Sequence, residues 1–116
     1  MELENKVKMM NLPSQEFFEE LISKAPSKPH DPIVIILFSA EKWCKPCQRL
    51  DKELLLNLSS AIKWYKCDID DNDYTPGYCG VKKIPAFLAI LNGVVQPLYV
   101  QGDAVKVAEW IKRGCK

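Results

Sequence analysis

The segment Trp43-Cys44-Lys45-Pro46-Cys47 constrains this chain most, because only two residues separate its cysteines. A continuous apolar run at 33–38 precedes it, and a periodic segment from Cys47 to Leu58 follows. This order predicts a buried strand, a short turn and a helix, with the cysteines at the junction. A helix N-terminus offers unpaired N–H groups and a positive dipole end, so a thiolate there is stabilised and nucleophilic near neutral pH. Cys47 lies about one turn from Cys44, close enough for a disulfide.

Composition limits the classes of protein that the chain can belong to. Its 116 residues suffice for one domain, residues 1–116, with a real core. The net charge of +1 gives no broad attraction to nucleic acid or to an anionic membrane. No apolar run approaches the ~20 residues that span a bilayer. Residues 1–6 are charged and lack the apolar core of a secretion signal, so we expect a cytoplasmic protein.

The five cysteines indicate redox chemistry more than a structural framework. An odd count without a signal peptide argues against a disulfide scaffold, and a close pair in a reducing compartment is more often redox-active or metal-binding. A zinc site needs four ligands. The other candidate ligands, Cys67, Cys79, Cys115 and His30, contain no second Cys-x-x-Cys pair. We therefore favour a redox pair without metal over half of a zinc site.

Periodicity and turn residues predict the order (β)α-β-α-β-(α)-β-β-α. The predicted elements are a first strand at 7–10, a helix at 15–25 capped by Ser14, a proline-rich loop at 26–32, a central strand at 33–39, the helix at 47–58, a strand at 62–69, a loop or irregular helix at 70–80, a strand at 86–91, an Asn92-Gly93 turn, a return strand at 94–100, and a last helix between Asp103 and Gly114. Pro97 inside the return strand predicts a sheet edge, where a missing N–H is tolerated.

Four separated motifs resemble the thioredoxin family in order and spacing. The cysteine segment matches the family's Trp-Cys-Gly-Pro-Cys site at all but one position. Val81–Pro85 matches the segment that ends in the family's cis-proline, and Asn92-Gly93 matches its hairpin turn. Val100–Gly102 matches the segment whose glycine helps to form the substrate groove. Lys66 falls where thioredoxins carry a lysine near the site. The resemblance covers almost the whole chain.

The resemblance implies an α/β protein of the thioredoxin fold. Its central mixed sheet would have four to five strands, a parallel βαβ half and an antiparallel hairpin, flanked by about four helices. The implied function is protein-disulfide reduction by dithiol–disulfide exchange in cell redox homeostasis. No cofactor is implied, because the cysteines carry the electrons. The implied partners are disulfide-containing proteins and an electron donor of the thioredoxin reductase type.

Two other functions remain open on the sequence. One is a more oxidising disulfide oxidase or isomerase with the same fold. The other is a binding module that uses the groove around Trp43, Pro85 and Gly102 without turnover. We expect a monomer, with a disulfide-linked dimer as the product of oxidation.

The family pattern implies a role for each residue of the dithiol segment. Cys44 would be the nucleophile, exposed at the start of the helix, and Cys47 the less exposed resolving thiol. Pro46 would fix φ in the first helical turn, where no N–H is needed. Trp43 would form an apolar rim beside Cys44, the alternative being a core tryptophan. We expect Trp64 and Trp110 to be core residues.

A second set of residues would shape the groove. Pro85 would be cis and would turn the Ile84 backbone toward the dithiol, the alternative being an ordinary trans-proline. Gly102 would help to form the groove, and Lys66 would give charge or proton support. Lys45 would add positive charge beside Cys44.

Three cysteines lie outside the predicted site. We expect Cys67 to be a buried, inert thiol. Cys79, expected in a loop that faces the cis-proline segment, is either an incidental thiol, which we favour, or a regulatory one. Cys115, near the terminus, is the expected source of a dimer on air oxidation.

The chain departs from the family at several positions. Thioredoxins usually place a buried Asp on the strand before the site, where this chain has Leu37-Phe38. Ala86 replaces the Thr that commonly follows the cis-proline. Lys52 lies near the position of the proline that bends the active-site helix. These changes put the rate and the redox potential in question more than the activity.

Overall fold

A mixed β-sheet lies at the centre of the fold. The computed structural model describes residues 8–23 and 33–115. Its elements are β1 (Met10–Asn11), α1 (Gln15–Ser23), β2 (Ile33–Ser39), α2 (Lys45–Arg49), α3 (Lys52–Leu56), β3 (Ile62–Asp68), α4 (Tyr74–Cys79), β4 (Ala86–Leu91), β5 (Val94–Val95), β6 (Tyr99–Val100) and α5 (Ala104–Lys112). These described strands form one six-stranded sheet of order β1-β3-β2-β4-β5, and β6 also pairs with β4.

Strand β2 is the central strand, as predicted. It pairs in parallel with β3 and antiparallel with β4. Ile35 and Leu37 belong to one apolar layer, Ile36 and Phe38 to the other, and all four are fully buried. An apolar run without alternation is typical of a strand covered on both faces. The predicted mixed sheet, with a parallel half and an antiparallel hairpin, is therefore confirmed. The described residues form six strands and five helices, where we expected four to five strands and about four helices.

The two apolar layers place helices on both faces of the sheet. Helices α3 and α5 cover the first layer, in which the predicted core residues Trp64 and Trp110 both pack near Phe87. Helix α1 covers the second layer through Phe18. No helix in the described part of the chain is long and apolar enough to cross a membrane.

The helix after the cysteines is broken, which the sequence did not predict. We expected one helix from Cys47 to Leu58, but α2 ends before Leu50 and α3 begins after Asp51. Leu50 has an extended backbone with φ −62° and ψ 126°. The carboxylate of Asp51 accepts the N–H of Leu54 at 3.1 Å and caps α3. The extended backbone at Leu50 thus ends one helix and the Asp51 side chain caps the next, without a proline.

The hairpin turn is correct, but its return strand is interrupted. Asn92 and Gly93 both have positive φ, 53° and 76°, as a type I′ turn requires. The predicted single strand at 94–100 is wrong, because β5 and β6 flank Pro97, which has no N–H to donate. Strand β5 ends the sheet order, so the predicted edge is confirmed.

The remaining element ends follow their capping residues. The Ser14 hydroxyl accepts the N–H of Phe17 at 3.2 Å at the start of α1. Asp103 accepts the N–H of Val105 at 2.9 Å at the start of α5, and Gly114, with φ 87°, follows its end. The polar stretch at 70–80 contains the short helix α4.

Some predictions differ in position or lie outside the described residues. Strand β1 lies at Met10–Asn11, whereas we expected 7–10, and Val7 is outside the described residues. Strand β3 ends at Asp68, one residue earlier than expected. The last two residues of the predicted 15–25 helix, the loop at 26–32 and His30 also lie outside the described residues.

Candidate active site

Cys44 and Cys47 form a disulfide at the C-terminal end of β2, with their Cα atoms 5.2 Å apart. Cys44 is the N-cap of α2, and Lys45 and Pro46 begin its first turn. The N–H of Cys44 donates to the carbonyl of Ala40 at 2.9 Å and closes the turn between strand and helix. The predicted position of the cysteines at a strand–helix junction is confirmed.

The disulfide lies in an apolar pocket. Cys47 is fully buried and Cys44 only 5% exposed, because Ala40, Ile69 and Ile84 pack around the two sulfurs. Our expectation of an exposed Cys44 is therefore wrong for this disulfide form, although Cys44 is the more exposed of the two. The N–H of Cys47 donates to Sγ of Cys44 at 3.3 Å, and the same N–H can stabilise a Cys44 thiolate.

The cis-proline segment faces the disulfide. The Ile84–Pro85 peptide bond is cis, as predicted. The carbonyl oxygen of Ile84 lies 3.9 Å from Sγ of Cys44. A Cβ atom at Gly102 would lie 3.7 Å from Pro46 Cβ and 3.9 Å from Pro85 Cγ, so this glycine is beside both prolines. The structure thus brings three predicted groove residues together at Cys44.

Trp43 is an exposed rim residue and not a core residue. Its side chain is 58% exposed. Its indole Nε1–H donates to both carboxylate oxygens of Asp70, at 3.1 and 3.2 Å. Sequence reasoning missed Asp70. The available signal was that β2 and β3 are parallel, so residues just after each strand meet at one edge of the sheet.

Glu41, which sequence reasoning also missed, joins the loop before the disulfide to three elements. Its carbonyl accepts from Gln48 Nε2 at 2.7 Å in α2, and its carboxylate pairs with Lys52 Nζ at 3.0 Å in α3. Its N–H donates to the carboxylate of Asp68 at 3.4 Å on β3. Lys52 is partly buried in this ion pair.

Lys66 lies one strand away from the disulfide strand. It is half-buried on β3, in register with Leu37 on β2. Side chains at paired positions of neighbouring strands project from the same face, so Lys66 shares the face of Leu37. Leu37 is fully buried among apolar residues. Among the described residues no carboxylate pairs with Lys66, so its predicted supporting role stays a prediction.

The other three thiols are shielded. Cys67 is buried, and burial, with the nearby charges of Cys79, Asp68 and Asp71, raises its pKa to about 12. Burial raises the pKa of Cys79 and of Cys115 to about 11. The predicted burial of Cys67 is confirmed, and its inertness stays a prediction.

Two expectations about these thiols are wrong. Cys79 is the last residue of α4 and not part of a loop. Cys115 is only 1% exposed, because its N–H donates to the Trp110 carbonyl at 2.8 Å and its side chain packs in the core. It is therefore no ready source of an oxidised dimer.

The described residues offer no ligand set for a metal ion. Within residues 8–23 and 33–115, no three His, Cys, Asp or Glu side chains are arranged to hold one.

A Cys-x-x-Cys disulfide that follows the central strand of a mixed sheet, opposite a cis-proline, defines the class of thioredoxin-fold dithiol proteins. The family model for thioredoxin matches residues 8–113, nearly the whole chain. The chain therefore belongs to the thioredoxin family.

Curated relatives and solved structures agree with this assignment. The chain is 33% identical to a thioredoxin of Rickettsia bellii over 86 residues, covering 72% of this chain and 75% of that protein. It is 33% identical to the chloroplastic thioredoxin M-type of Brassica napus over 79 residues, 66% of this chain. It superposes on the crystal structure of thioredoxin from Trypanosoma brucei brucei with a TM-score of 0.79 at 19% identity, covering 99% of this chain and 96% of that one.

The matches to curated relatives are partial in length. The chain spans 41% of the Brassica napus protein and 62% of a thioredoxin of Haemophilus influenzae, to which it is 38% identical over 66 residues, 54% of this chain. The structural similarity at 19% identity establishes the fold.

Proposed function

We propose that the chain is a protein-disulfide reductase that works by dithiol–disulfide exchange. The observation that carries the proposal is the Cys44–Cys47 bond itself, formed within one helical turn beside the cis Ile84–Pro85 peptide. Family membership supports the same activity. No observation favours the oxidase, isomerase or binding-module alternatives.

Each cysteine has one role in the proposed cycle. In the reduced chain, the Cys44 thiolate attacks one sulfur of a substrate disulfide and releases the other as a thiolate. Cys47 then gives up its proton and attacks Sγ of Cys44, which releases the second substrate thiolate. The substrate becomes a dithiol and the chain returns to the Cys44–Cys47 disulfide seen here. The greater burial of Cys47 suits the second, intramolecular attack.

Substrate would lie across the groove beside Cys44. The Ile84 backbone, 3.9 Å from the Cys44 sulfur, is placed to pair with an extended substrate segment. Gly102 keeps the groove open between two prolines, and exposed Trp43 offers an apolar contact at its rim.

The proposal includes the compartment and the electron donor. Reduction of substrates requires that the pair be kept as a dithiol, which fits a cytoplasmic location. A separate reductase of the thioredoxin reductase type would supply the electrons, and the cysteines would carry them without a bound cofactor. With net charge +1, we propose neither nucleic acid nor membrane as a partner, and a monomer as the working form.

Insulin reduction with single-cysteine variants tests the proposal. Cys44→Ser should abolish reduction, and Cys47→Ser should trap substrates as stable mixed disulfides. Equal recovery of trapped substrate with Cys44→Ser would overturn the assignment of roles. A redox potential near −120 mV, not near −270 mV, would favour the oxidase, and a folded chain that reduces nothing would favour the binding module.

A further inference from the structure

Four exposed lysines lie in the two chain segments that form the groove at the disulfide. Lys42 and Lys45 are next to Trp43 and Cys44 in the chain, and both are exposed. Lys82 and Lys83, also exposed, belong to the segment that ends at the cis Ile84–Pro85 bond. Lys83 directly precedes Ile84, whose carbonyl oxygen lies 3.9 Å from the Cys44 sulfur. Exposed lysines therefore occur in both of the chain segments that meet at the Cys44 sulfur.

No carboxylate of the described residues pairs with any of these four lysines. The acids that lie near them in the site have other partners. Glu41 pairs with Lys52, and Asp70 accepts from the Trp43 indole. Asp103, next to Gly102, accepts the N–H of Val105 at the start of α5. These acids lessen the positive field, but the lysine heads remain available to a partner.

Negative charge gathers on a neighbouring surface. Glu16, Glu19 and Asp71 line one depression beside exposed Tyr74. The sign of the charge therefore changes across the molecule, although its net charge is only +1. Such a charge distribution orients a charged partner. The acidic part of the partner is attracted to the lysines, and an orientation that places it on the acidic surface is disfavoured by repulsion.

We propose that the preferred substrates carry Asp or Glu side chains next to the reducible disulfide, and that Lys42 and Lys83 select them. This inference rests on the proposed reductase function and gives it a substrate class. A carboxylate on either side of the substrate disulfide would meet a lysine while the backbone lies along Ile84. A basic flanking sequence would meet like charge on both sides of the groove. The lysines act on docking, and the exchange chemistry remains with the two cysteines.

Three matched peptides test the substrate class. Each contains the same intramolecular disulfide, flanked by Glu, by Gln or by Lys, and each rate is divided by the rate with dithiothreitol, which corrects for intrinsic reactivity. We expect kcat/KM for the Glu peptide to exceed that for the Lys peptide by about 10-fold at 20 mM salt, since steering by charge has effects of about 10-fold or more. The ratio should shrink at 300 mM salt, where the screening length falls from about 20 Å to about 6 Å.

Charge reversal tests the two lysines. Lys42→Glu combined with Lys83→Glu should invert the preference between the Glu and Lys peptides. The matched control is Lys63→Glu combined with Lys112→Glu, and both lysines are exposed. Lys63 lies far from the groove, because it pairs with Val34 near the start of β2, at the other end of the sheet. The control should keep the wild-type preference. Lys42→Gln with Lys83→Gln, a milder pair, should reduce the preference without inverting it.

The Gln peptide distinguishes failure of the proposed substrate class from failure of the proposed reductase function. If wild type reduces the Gln peptide but shows no preference by charge, the substrate class is overturned and the reductase function stands. An unchanged preference in the folded lysine variants overturns the assignment to Lys42 and Lys83. If wild type reduces none of the peptides, the proposed function fails and the substrate class with it.

Discussion

The carboxylate of Asp70 holds the indole of Trp43, which lies 27 residues earlier in the chain, by hydrogen bonds of 3.1 and 3.2 Å. An exposed tryptophan next to Cys44 is therefore fixed in orientation although it is 58% exposed. A fixed aromatic ring gives a partner contact area at little cost in side-chain entropy.

Asp70→Ala should weaken substrate docking. The indole loses both acceptors, and a hydrogen bond to a charged group contributes about 1.5 kcal/mol or less at an exposed site, so we expect KM for insulin to rise about 3- to 10-fold. kcat should change little. Asp70→Asn keeps one acceptor oxygen, so its KM should lie between those of wild type and Asp70→Ala. Equal KM values in all three proteins would show that the orientation of Trp43 does not matter for docking.

Asp51→Ala should destabilise the fold by about 1 kcal/mol, the usual cost of losing an N-cap side chain. The lost bond is the one from the Leu54 N–H, 3.1 Å long. The chain contains its own control in Asp73, which occupies the N-cap position of α4 without a side-chain cap bond. Urea unfolding should therefore find Asp73→Ala within about 0.5 kcal/mol of wild type. Equal effects of the two substitutions would contradict the role given to the cap.

Leu37→Asp should speed the resolution of mixed disulfides. A carboxylate there would lie in the layer that α3 and α5 cover, with Lys66 in register on β3, and is expected to accept the proton that Cys47 releases. The protein should also lose stability, because Leu37 is fully buried. Leu37→Asn, which is polar but no proton acceptor, is the matched control. Stopped-flow kinetics in which a folded Leu37→Asp resolves no faster than Leu37→Asn would refute the idea.

Lys45→Gly should make the redox potential more negative. An ammonium about 6–8 Å from a thiolate stabilises it by roughly 0.5–1.4 kcal/mol in a solvated site, and this favours the reduced form. A two-electron couple moves about 30 mV per 1.4 kcal/mol, so removing the charge should lower the potential by about 10–30 mV. Lys45→Arg retains the charge and should match wild type in the same glutathione equilibration. A less negative potential for Lys45→Gly would reverse the sign and reject this account.

Cys67 should make stability fall at alkaline pH. Its pKa rises from 9.0 to about 12 in the folded protein, so the fold holds the thiol proton more tightly than the unfolded chain does. This contribution to stability is fully present below pH 9.0 and is lost as the pH rises from there through about 12. Urea unfolding between pH 8 and 10.5 should therefore show a steeper loss for wild type than for Cys67→Ala. Parallel curves would mean that the buried thiol makes no such contribution.

Local patterns predicted the parts of the molecule that local physics determines. The unbroken apolar run of β2, the Asn92-Gly93 turn and the caps at Ser14 and Asp103 all act within a few residues, and all lie where the sequence placed them. The dithiol segment was equally clear, because its spacing and its position after a strand agree. The cis peptide before Pro85 was predicted through family resemblance and not through the pattern of residues alone.

The errors concern features that depend on distant contacts or on two equally good local choices. Asp51 can face water in a continuous helix or cap a new one, and hydrophobic spacing fits both. Asp70 and Glu41 acquire their roles only when β3, α2 and α3 meet the loop before Cys44. Cys115 is covered by tertiary packing, which its place near the chain end concealed.

The break between Leu50 and Asp51 also separates the helix that contains Cys47 from the helix that packs in the core. The backbone hydrogen bonds of α2 end with the bond from the N–H of Leu50 to the carbonyl of Cys47. The hydrogen bonds of α3 begin at the Asp51 side chain, which accepts the N–H of Leu54. Helix α3, anchored by buried Leu55, belongs to the core, whereas α2 contains only five residues. We therefore expect that reduction of the Cys44–Cys47 bond can move the short helix α2 without moving α3 or the core residues that pack against it.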